Sequence, residues 1–315
     1  MQAMDGLIVI NKPTGLSSSQ VCHKVKKRLG VKKAGHLGTL DPLATGVLPL
    51  CINEGTKLVQ FLMQGQKEYR ATMRLGVETD TQDSLGAVVR TSCDLPCSSD
   101  RVSAVIQEFC GELLQTPPMY SALKRNGVPL YKLARRGEWV ERPQRPITIY
   151  AIEALAIEVP DITFRVVCSH GTYVRTICYD IGRRLGCGAH MTALERTRNG
   201  TFHIRHAVSL EELETRDREE LIRQYLIPAK DALQGVPELA VDDVVARKIR
   251  NGIQITVQDL GEAALPVLMD AQVLKVVSRR DDLISVVESQ LDKNGSGALE
   301  GTEPVWKILR VFVDT

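Results

Sequence analysis

The chain has 315 residues, of which 43% are hydrophobic and 25% are charged, a composition typical of a globular protein with a substantial core. A chain of this length predicts two domains, or one large domain with an appendage. No apolar run approaches the length of a membrane-spanning helix, and the N-terminal residues lack the basic start and cleavage site of a signal peptide, so we expect a cytoplasmic protein without a membrane partner.

Charge is distributed unevenly along the chain. The net charge is only +2, but residues 206–304 hold 11 Lys and Arg against 19 Asp and Glu, so the first 205 residues are strongly basic. A basic surface is what binding to RNA or DNA requires. The 8 cysteines include no Cys-x-x-Cys pair with a matching partner pair, which argues against a zinc site.

The first predicted elements are a buried strand and an amphipathic helix. The apolar run 7–10 predicts the strand, and the serines at 17–19 cap a helix that ends at Gly30. The polar face of this helix, within 24–28, is rich in Lys and Arg. This face is either simply solvated or in contact with phosphate groups.

The next stretch, GHLGTLDPLATG at 35–46, sets a single acid among three glycines. Glycines permit tight turns and a close approach of another chain, so the carboxylate of Asp41 would stand on a bare turn. Asp41 followed by Pro42 also suits the start of a helix, with Asp as the N-cap and Pro at the first helical position. The residues alone therefore leave open whether Asp41 is a reactive group or a helix cap.

Alternation of polar and apolar residues over 67–75 predicts a half-buried strand, with Tyr69 on its apolar face. A polar loop, GVETDTQDSLG, follows at 76–86. The apolar spacing over 100–116 predicts a helix. The next segment, 120–150, interleaves seven basic residues with Tyr120, Tyr131 and Trp139, a pattern that suits unstacked RNA.

A second alternating strand is predicted over 162–168, followed by SHGTYVR at 169–175 and a helix that ends at Gly186. If the chain is extended here, Tyr173 and Arg175 point the same way. If it is helical, their side chains are about 200° apart. A shared role at one site favours the extended form, so we expect the helix to begin after residue 175.

The character of the sequence changes after residue 205. An acidic helix is predicted over 209–227, with prolines at 228 and 237 marking a linker, and then a short helix over 242–251. The remaining pattern predicts a small β-barrel with a Gly-rich loop at 294–301. Its strands are expected near 253–257, 265–269, 272–278, 283–289 and 305–313.

Several segments, in the right order, resemble the motifs of the tRNA pseudouridine synthase B family. They are NKPTGLSS (11–18), GHLGTLDPLATGVL (35–48), KEY (67–69), TDTQDSLG (79–86), TPPMYSALK (116–124), GTYVRT (171–176) and GAHMTALERTRNGTF (188–202). Leu37 stands where the family usually has Thr, and Glu195 stands at a place that is often basic in relatives. The resemblance is specific over about 4–205 and weaker afterwards.

The resemblance implies a fold and a function. The fold is α+β: a mixed-sheet catalytic domain over 1–235 and a small β-barrel, PUA-like RNA-binding domain over 236–315. The function is isomerisation of uridine 55 to pseudouridine in the T-loop of tRNA. The family motifs assign the catalytic roles to Asp41 and its partner Arg175, and substrate contacts to His36, Tyr69, Tyr173 and Leu194.

This reaction breaks the N–C glycosidic bond, turns the uracil over and rejoins it through carbon. No electrons are transferred, so we expect no redox cofactor and no metal. An Asp, with a reference pKa of about 3.9, is anionic at neutral pH without an activating base. A base stacked in an RNA loop must first be flipped out, which Tyr69 would favour by stacking on it. His36 would occupy the vacated place or stack on a neighbouring base, while Tyr173 and Leu194 exclude water.

Two other functions remain open at this point. The protein could be a hydrolase that releases uracil, although such enzymes usually need two carboxylates at a defined separation and only Asp41 lies in a motif. It could also be an RNA-binding or RNA-folding protein without catalytic activity. We expect a monomer that binds the T-arm stem-loop of tRNA and works without a guide RNA.

Overall fold

The computed structural model describes residues 4–96, 98–260, 272–289, 304 and 306–312. These residues form a mixed α+β structure, as the sequence predicts. One eleven-stranded sheet carries most of the helices, and a separate four-stranded sheet forms near the C-terminus. None of the helices in these ranges is long and apolar enough to span a membrane.

The elements are numbered in chain order. The strands are β1 (Gly6–Lys12), β2 (Ala34–His36), β3 (Thr45–Ile52), β4 (Lys67–Leu75), β5 (Val77–Thr79), β6 (Val88–Thr91), β7 (Gly111–Gln115), β8 (Lys124–Arg125), β9 (Val128–Pro129), β10 (Arg145–Glu158), β11 (Asp161–Cys168), β12 (Ala189–Asn199), β13 (Phe202–His203), β14 (Val208–Ser209), β15 (Ile227–Pro228), β16 (Glu238–Val241), β17 (Val273–Ser278), β18 (Leu283–Ser289) and β19 (Trp306–Val311). The α-helices are α1 (Ser18–Leu29), α2 (Val59–Leu62), α3 (Ser99–Gln107), α4 (Leu130–Ala134), α5 (Val174–Leu185), α6 (Leu210–Thr215), α7 (Arg218–Tyr225), α8 (Ala229–Ala232), α9 (Asp243–Arg250) and α10 (Val257–Leu260). Two 3₁₀ helices span Asn53–Leu58 and Ile204–His206.

The order of strands in the large sheet places β12 near its centre. The order is β14-β1-β3-β12-β4-β11-β10-β7, with β2, β13 and β15 pairing at the sides. β12 runs antiparallel to β4 along its whole length and lies parallel to β3 beside Thr45 and Gly46. Three segments that are far apart in the chain, 35–46, 67–75 and 189–199, therefore meet at one place.

The sheet is buried on both faces at β1 and β3, which explains the uninterrupted apolar run in β1. Ile8 and Ile10 pack into the core under the helices. Leu7 and Val9 point to the other face and pack in a second core with residues of the C-terminal sheet, including Phe312. Each such side chain contributes about 1.5–3 kcal/mol by leaving water.

Helix α1 begins and ends where the sequence predicts. Ser17 and Gln20 form a capping box at its start, and Gly30 ends it in the left-handed conformation with φ +64°. The strands predicted over 67–75 and 162–168 are also confirmed, since β4 and β11 occupy these positions.

Two predicted helices are wrong in extent. The helix predicted over 100–116 ends at Gln107, and 111–115 instead forms β7, which pairs with β10. Gly111 has a φ of +116°, a conformation that does not continue a helix. The helix predicted over 209–227 is divided into α6 and α7, because the Asp217 carboxylate accepts hydrogen bonds from the amides of a new first turn.

The C-terminal residues form an open sheet within the described ranges, in the order β16-β17-β18-β19, and a barrel is not seen there. The predicted strand at 253–257 is wrong, because α10 begins at Val257 and Thr256 makes only a single bridge to Pro304. The strands predicted near 272–278 and 283–289 are confirmed as β17 and β18. The predicted strand at 265–269 and the loop at 294–301 lie outside the described residues.

A close backbone contact joins β3 to β12 beside the Asp41 loop. Gly46 has a φ of +97°, and a Cβ atom there would lie 2.3 Å from the carbonyl oxygen of Arg196. Gly30 also has a positive φ, but a Cβ atom there would meet nothing within 4 Å. Replacing Gly30 therefore tests only the effect of the backbone conformation on stability. Replacing Gly46 tests the same effect together with that of the close contact between β3 and β12.

We expect Gly46→Ala to lower Tm much more than Gly30→Ala. The left-handed conformation costs about 1–2 kcal/mol in either variant, which corresponds to a few degrees. Only Gly46→Ala also forces the backbones of β3 and β12 apart. Thermal melts followed by circular dichroism measure both values. Equal losses of Tm in the two variants would show that the β3–β12 contact is not tight.

Candidate active site

The loop that carries Asp41 is held through its backbone carbonyl oxygens. The buried ammonium of Lys12 donates to the carbonyl of Ala44 at 2.6 Å and to that of Pro42 at 3.4 Å. The hydroxyl of Ser18 donates to the Leu40 carbonyl at 3.0 Å and accepts from the amide of the same residue at 2.8 Å. The first strand and the start of α1 thus fix one side of the loop.

Two side chains of β12 hold the other side of the loop. Arg196, which is fully buried, donates from Nη2 to the carbonyl of Gly38 at 3.1 Å and from Nε to that of Val47 at 2.7 Å. Asn199 donates from Nδ2 to the carbonyl of Leu37 at 2.7 Å. Because the loop is held by its backbone, the side chain of Asp41 needs no part in its structure.

Asp41 does not cap a helix. The amide of Ala44 donates to the carbonyl oxygen of Asp41 at 3.0 Å, which closes a turn, and the next regular element is the strand β3. Within the described ranges, the hydrogen-bond donor to the carboxylate is Arg175. The helix-cap interpretation of Asp41 is therefore wrong.

Arg175 lies between two carboxylates. Its Nη2 is 3.2 Å from Oδ2 of Asp41, and its Nη1 is 3.5 Å from Oδ2 of Asp83. Nη2 also donates to the carbonyl oxygen of Tyr120 at 2.6 Å. These contacts orient the guanidinium, which is almost fully buried, toward Asp41.

The environment of Asp41 acts on its pKa in two directions. Burial raises the pKa of this carboxyl above its ordinary value, and the nearby Asp83 carboxylate raises it further, whereas Arg175 and Lys12 lower it. The Asp41 side chain is still 34% exposed, so a ligand can reach it. Charge from Arg175 and Lys12 is what opposes protonation of the buried carboxyl.

Helix α5 begins earlier than the sequence predicts. Tyr173 is extended, with φ −99° and ψ 104°, but α5 starts at Val174, so Arg175 lies in its first turn. Gln115 holds the backbone of Tyr173 from both sides, at 2.8 Å and 3.1 Å. Tyr173 and Arg175 reach the same cavity because the chain changes from extended to helical between them, and the guanidinium carbon lies 5.9 Å from the centre of the tyrosine ring.

A cavity of about 380 Å³ opens above Asp41, within the size range of small-ligand sites. Five of the six predicted site residues line it, and they come from three elements (β4, α5 and β12), the residue just before α5, and the Asp41 loop. Tyr69 lies on β4 and is 6% exposed, and burial raises the pKa of its phenol. The five lining residues are Asp41, Tyr69, Tyr173, Arg175 and Leu194.

His36 is the predicted site residue that does not line this cavity. It lies at the end of β2, paired with Leu50 of β3. Burial lowers the pKa of its ring, and Nδ1 has no hydrogen-bond partner in the part of the chain that the structure describes. His36 thus lies at the end of the strand that precedes the Asp41 loop in the chain, and not beside the Asp41 carboxylate.

The sequence analysis missed three charged residues of the site: Lys67, Asp83 and Arg196. Lys67 lines the cavity and donates to the carbonyls of Met63 at 3.1 Å and Gly65 at 2.9 Å. Burial and the Arg196 charge lower its pKa to about 8. The available signal was that Lys67 shares the apolar face of β4 with Tyr69, where a charged residue has no structural reason to lie.

Asp83 has a structural role in the loop after β5. Its Oδ1 accepts from the Thr81 hydroxyl at 2.7 Å and from the Leu85 amide at 3.0 Å, which leaves Oδ2 for Arg175. The side chain is 6% exposed and does not line the cavity. In the described residues, no group of three His, Cys, Asp or Glu side chains could hold a metal ion.

Comparison with known proteins supports one family. The family model described as TruB family pseudouridylate synthase (N terminal domain) matches residues 26–174, and that of the tRNA pseudouridylate synthase B C-terminal domain matches 175–234. A tRNA pseudouridine synthase B from Syntrophus aciditrophicus is 42% identical over 311 residues, covering 99% of both chains. One from Syntrophotalea carbinolica is 48% identical over 256 residues, covering 80% of this chain and 82% of the relative.

Solved structures agree with this result. A structure titled as a Cbf5-Nop10-Gar1 complex has a chain with TM-score 0.73 and 28% identity, covering 98% of this chain and 85% of that one. One titled as an H/ACA RNP bound to a substrate RNA containing 2'-deoxyuridine gives TM-score 0.71 and 26% identity, covering 98% and 86%. The cavity around Asp41, the two family models and relatives of nearly equal length lead to one conclusion: the chain belongs to the TruB family of tRNA pseudouridine synthases, which are isomerases.

Proposed function

We propose that the uridine this enzyme isomerises to pseudouridine is the one at position 55, in the T-loop of tRNA, and that Asp41 is the nucleophile. The observation that carries the proposal is the Asp41 carboxylate. It is 34% exposed at an open cavity while Arg175 holds it at 3.2 Å. A carboxylate that is both reachable and paired with a guanidinium is poised to attack rather than to support the fold.

The proposed reaction uses the cavity in a defined order. The N1–C1′ bond of the uridine breaks, the uracil turns within the cavity, C5 bonds to C1′, the proton on C5 is lost to water, and N1 takes up a proton from water. Atoms and electrons balance without a co-reactant. Asp41 supplies the anionic oxygen at the reacting centre, and Arg175 keeps that oxygen oriented and ionised.

The aromatic lining of the cavity suits a base that has left its stack. Flipping the base out of its stack costs a few kcal/mol, and stacking of that base on an aromatic ring recovers about 1–3 kcal/mol. We assign the stacking to Tyr69. Tyr173 and Leu194 close the cavity and exclude water, which would otherwise capture the sugar and convert the reaction into hydrolysis. Because His36 lies outside the cavity, we assign it to RNA beside the flipped base.

We further propose that residues 1–235 are the catalytic domain and 236–315 an accessory RNA-binding domain, in a monomer that binds the T-arm without a guide RNA. The support for two cooperating units is their contact. Lys57 donates to the carbonyl of Val311 at 2.8 Å, and Arg310 donates to the Gln60 side chain at 2.8 Å.

The first test of this function uses T-arm RNA that carries tritium at C5 of the target uridine. The wild-type protein should release the tritium to water while the RNA keeps its mass. Asp41→Asn should lose activity by about 10⁴-fold or more, as removal of a nucleophile does elsewhere, and keep RNA affinity within a few-fold.

The matched control is Asp161→Asn, which removes an exposed carboxylate paired with Arg74 and should leave turnover unchanged. Free uracil in place of released tritium would show a hydrolase. Binding with neither product would show a non-catalytic RNA-binding protein, and either result contradicts the proposal.

The role of Tyr69 is tested with two variants that distinguish the contribution of its ring from that of its hydroxyl group. Tyr69→Leu removes the stacking surface and should lower turnover by about 5–150-fold, the equivalent of 1–3 kcal/mol. Tyr69→Phe keeps the ring and should stay within a few-fold of the wild type. Single-turnover rates at saturating enzyme, with thermal melts of each variant, make the comparison. If Tyr69→Phe is as slow as Tyr69→Leu, stacking is not what Tyr69 supplies.

The pH dependence tests the ionic partnership of Asp41 and Arg175. Only ionised Asp41 reacts, so the rate rises with pH through its pKa. Arg175 lowers that pKa, so Arg175→Gln raises it and should move the acid limb of the single-turnover rate upward by about 1–3 pH units. Arg175→Lys keeps the charge and should move the limb less. An acid limb at the same pH in all three proteins would contradict the partnership.

A further inference from the structure

A second concave site lies at the end of β12, beyond the catalytic cavity. It is a pocket of about 390 Å³ lined by two arginines, two histidines and several neutral residues. We call this group of four basic side chains the basic cradle. Its members are Arg198, His203, Arg205 and His206. Nothing in the catalytic mechanism above uses any of them.

The arginines of the basic cradle have no carboxylate partner in the part of the chain that the structure describes. Neither Arg198, which is half-buried, nor Arg205, which is exposed, forms an ion pair there. Glu68 on β4 interacts electrostatically with Arg198 and His203, but it is already bound to Arg165 at 2.7 Å and to the Thr197 hydroxyl at 2.8 Å. Converging positive charges in a concave surface attract an anion.

The contacts among the side chains of the basic cradle are also compatible with a bound anion. Arg205 donates from Nε to Nε2 of His206 at 3.2 Å, so that contact requires His206 to be unprotonated at Nε2. His203 and His206 face each other edge to face, with ring centres 6.4 Å apart. An anion among these groups would accept hydrogen bonds from both rings once they are protonated.

The position of the basic cradle relates it to the catalytic cavity. Leu194 lines the cavity and Arg198 lines the cradle, and four residues of strand span roughly 13 Å. Gly200, which lines the basic cradle, packs against Gly65, where a Cβ atom on Gly65 would lie 2.7 Å from Cα of Gly200. Both glycines are partly exposed and neither carries a side chain, so an RNA chain can approach the backbone closely at this contact.

We propose that the basic cradle binds backbone phosphates of the substrate RNA, in the strand that continues from the flipped uridine. Arginine forks and protonated imidazoles fit phosphate oxygens, and the roughly 13 Å of strand between Leu194 and Arg198 is short enough for one RNA segment to span. The inference rests on the proposed function in one respect: it takes RNA to be the substrate. It adds the residues that position the strand next to the reacting base.

The proposal also fixes how affinity depends on pH. Burial lowers the pKa of His203, and so do Arg205, Arg198 and His206, while Glu68 raises it. A bound phosphate would raise the pKa of His203, so RNA binding takes up a proton there. RNA affinity should therefore weaken as pH rises through the histidine range, and His203→Gln should flatten that dependence.

The deciding experiment measures the Kd of a fluorescent T-arm hairpin RNA as a function of salt. Arg198→Gln and Arg205→Gln should each weaken binding by about 3–10-fold and reduce the slope of log Kd against log salt by about 0.7–0.9, the loss of one phosphate contact. Arg198→Lys should restore most of the slope, because it keeps the charge. Arg101→Gln, an exposed arginine on α3, is the matched control and should change neither quantity.

Each outcome of this experiment supports or contradicts the cradle proposal without depending on the proposed catalytic function. Reduced slopes in the two Gln variants, with rescue by Arg198→Lys, support it. Unchanged Kd and slope overturn it, and the basic cradle would then serve another ligand, such as an acidic protein. Tritium release by the wild type is scored independently, so a failure of the proposed reaction would not be mistaken for a failure of the cradle.

Discussion

The contact between Arg175 and Asp41 is the interaction on which the site depends. A carboxyl group in a largely buried position tends to take up a proton, and a protonated Asp is not a nucleophile. The guanidinium 3.2 Å away opposes that tendency. Arg175 is in turn held by the Tyr120 carbonyl and by Asp83, so the orientation of one charge depends on three separate segments of chain.

The large sheet supports this contact by holding the Asp41 loop through its backbone, which leaves the Asp41 side chain uninvolved in the structure of the loop. Lys12, Ser18, Arg196 and Asn199 all bind carbonyl oxygens of the loop around Asp41. The loop keeps its shape without using the carboxylate, which stays available to a ligand. Strand β12 is central to the arrangement, because it supplies two of these side chains, part of the cavity wall and one member of the basic cradle.

Much of the site could be predicted from the sequence, because its motifs are local. Asp41 on a glycine-rich turn, Tyr69 on an alternating strand and Leu194 in a late motif all line one cavity. The errors arose where tertiary contacts decide the local structure. Pairing with β10 makes 111–115 a strand despite a helical spacing, and Asp217 starts a new helix within an apparently continuous one.

The buried charges of the site were the hardest part to predict. The family motif named Arg175 as the partner of Asp41, but the residues alone placed it in an extended segment rather than in the first turn of α5. Asp83 and Lys67 read as an ordinary loop acid and a strand-edge lysine until the fold places them beside Arg175 and Arg196. Their roles depend on neighbours that are distant in the chain, so the sequence could at most mark Lys67 as a charge on an apolar strand face and could not show what either residue contacts.

The most direct test of this account is the ionisation of Asp41 itself, followed by carbon NMR of protein labelled at the aspartate carboxyl carbon. The Asp41 resonance, assigned with Asp41→Asn, should show a carboxylate at the pH at which the enzyme turns over. It should titrate above the reference value for Asp because burial raises its pKa. A carboxyl that remains protonated at that pH would contradict the account, since the cavity would then hold no anionic oxygen to act on the base.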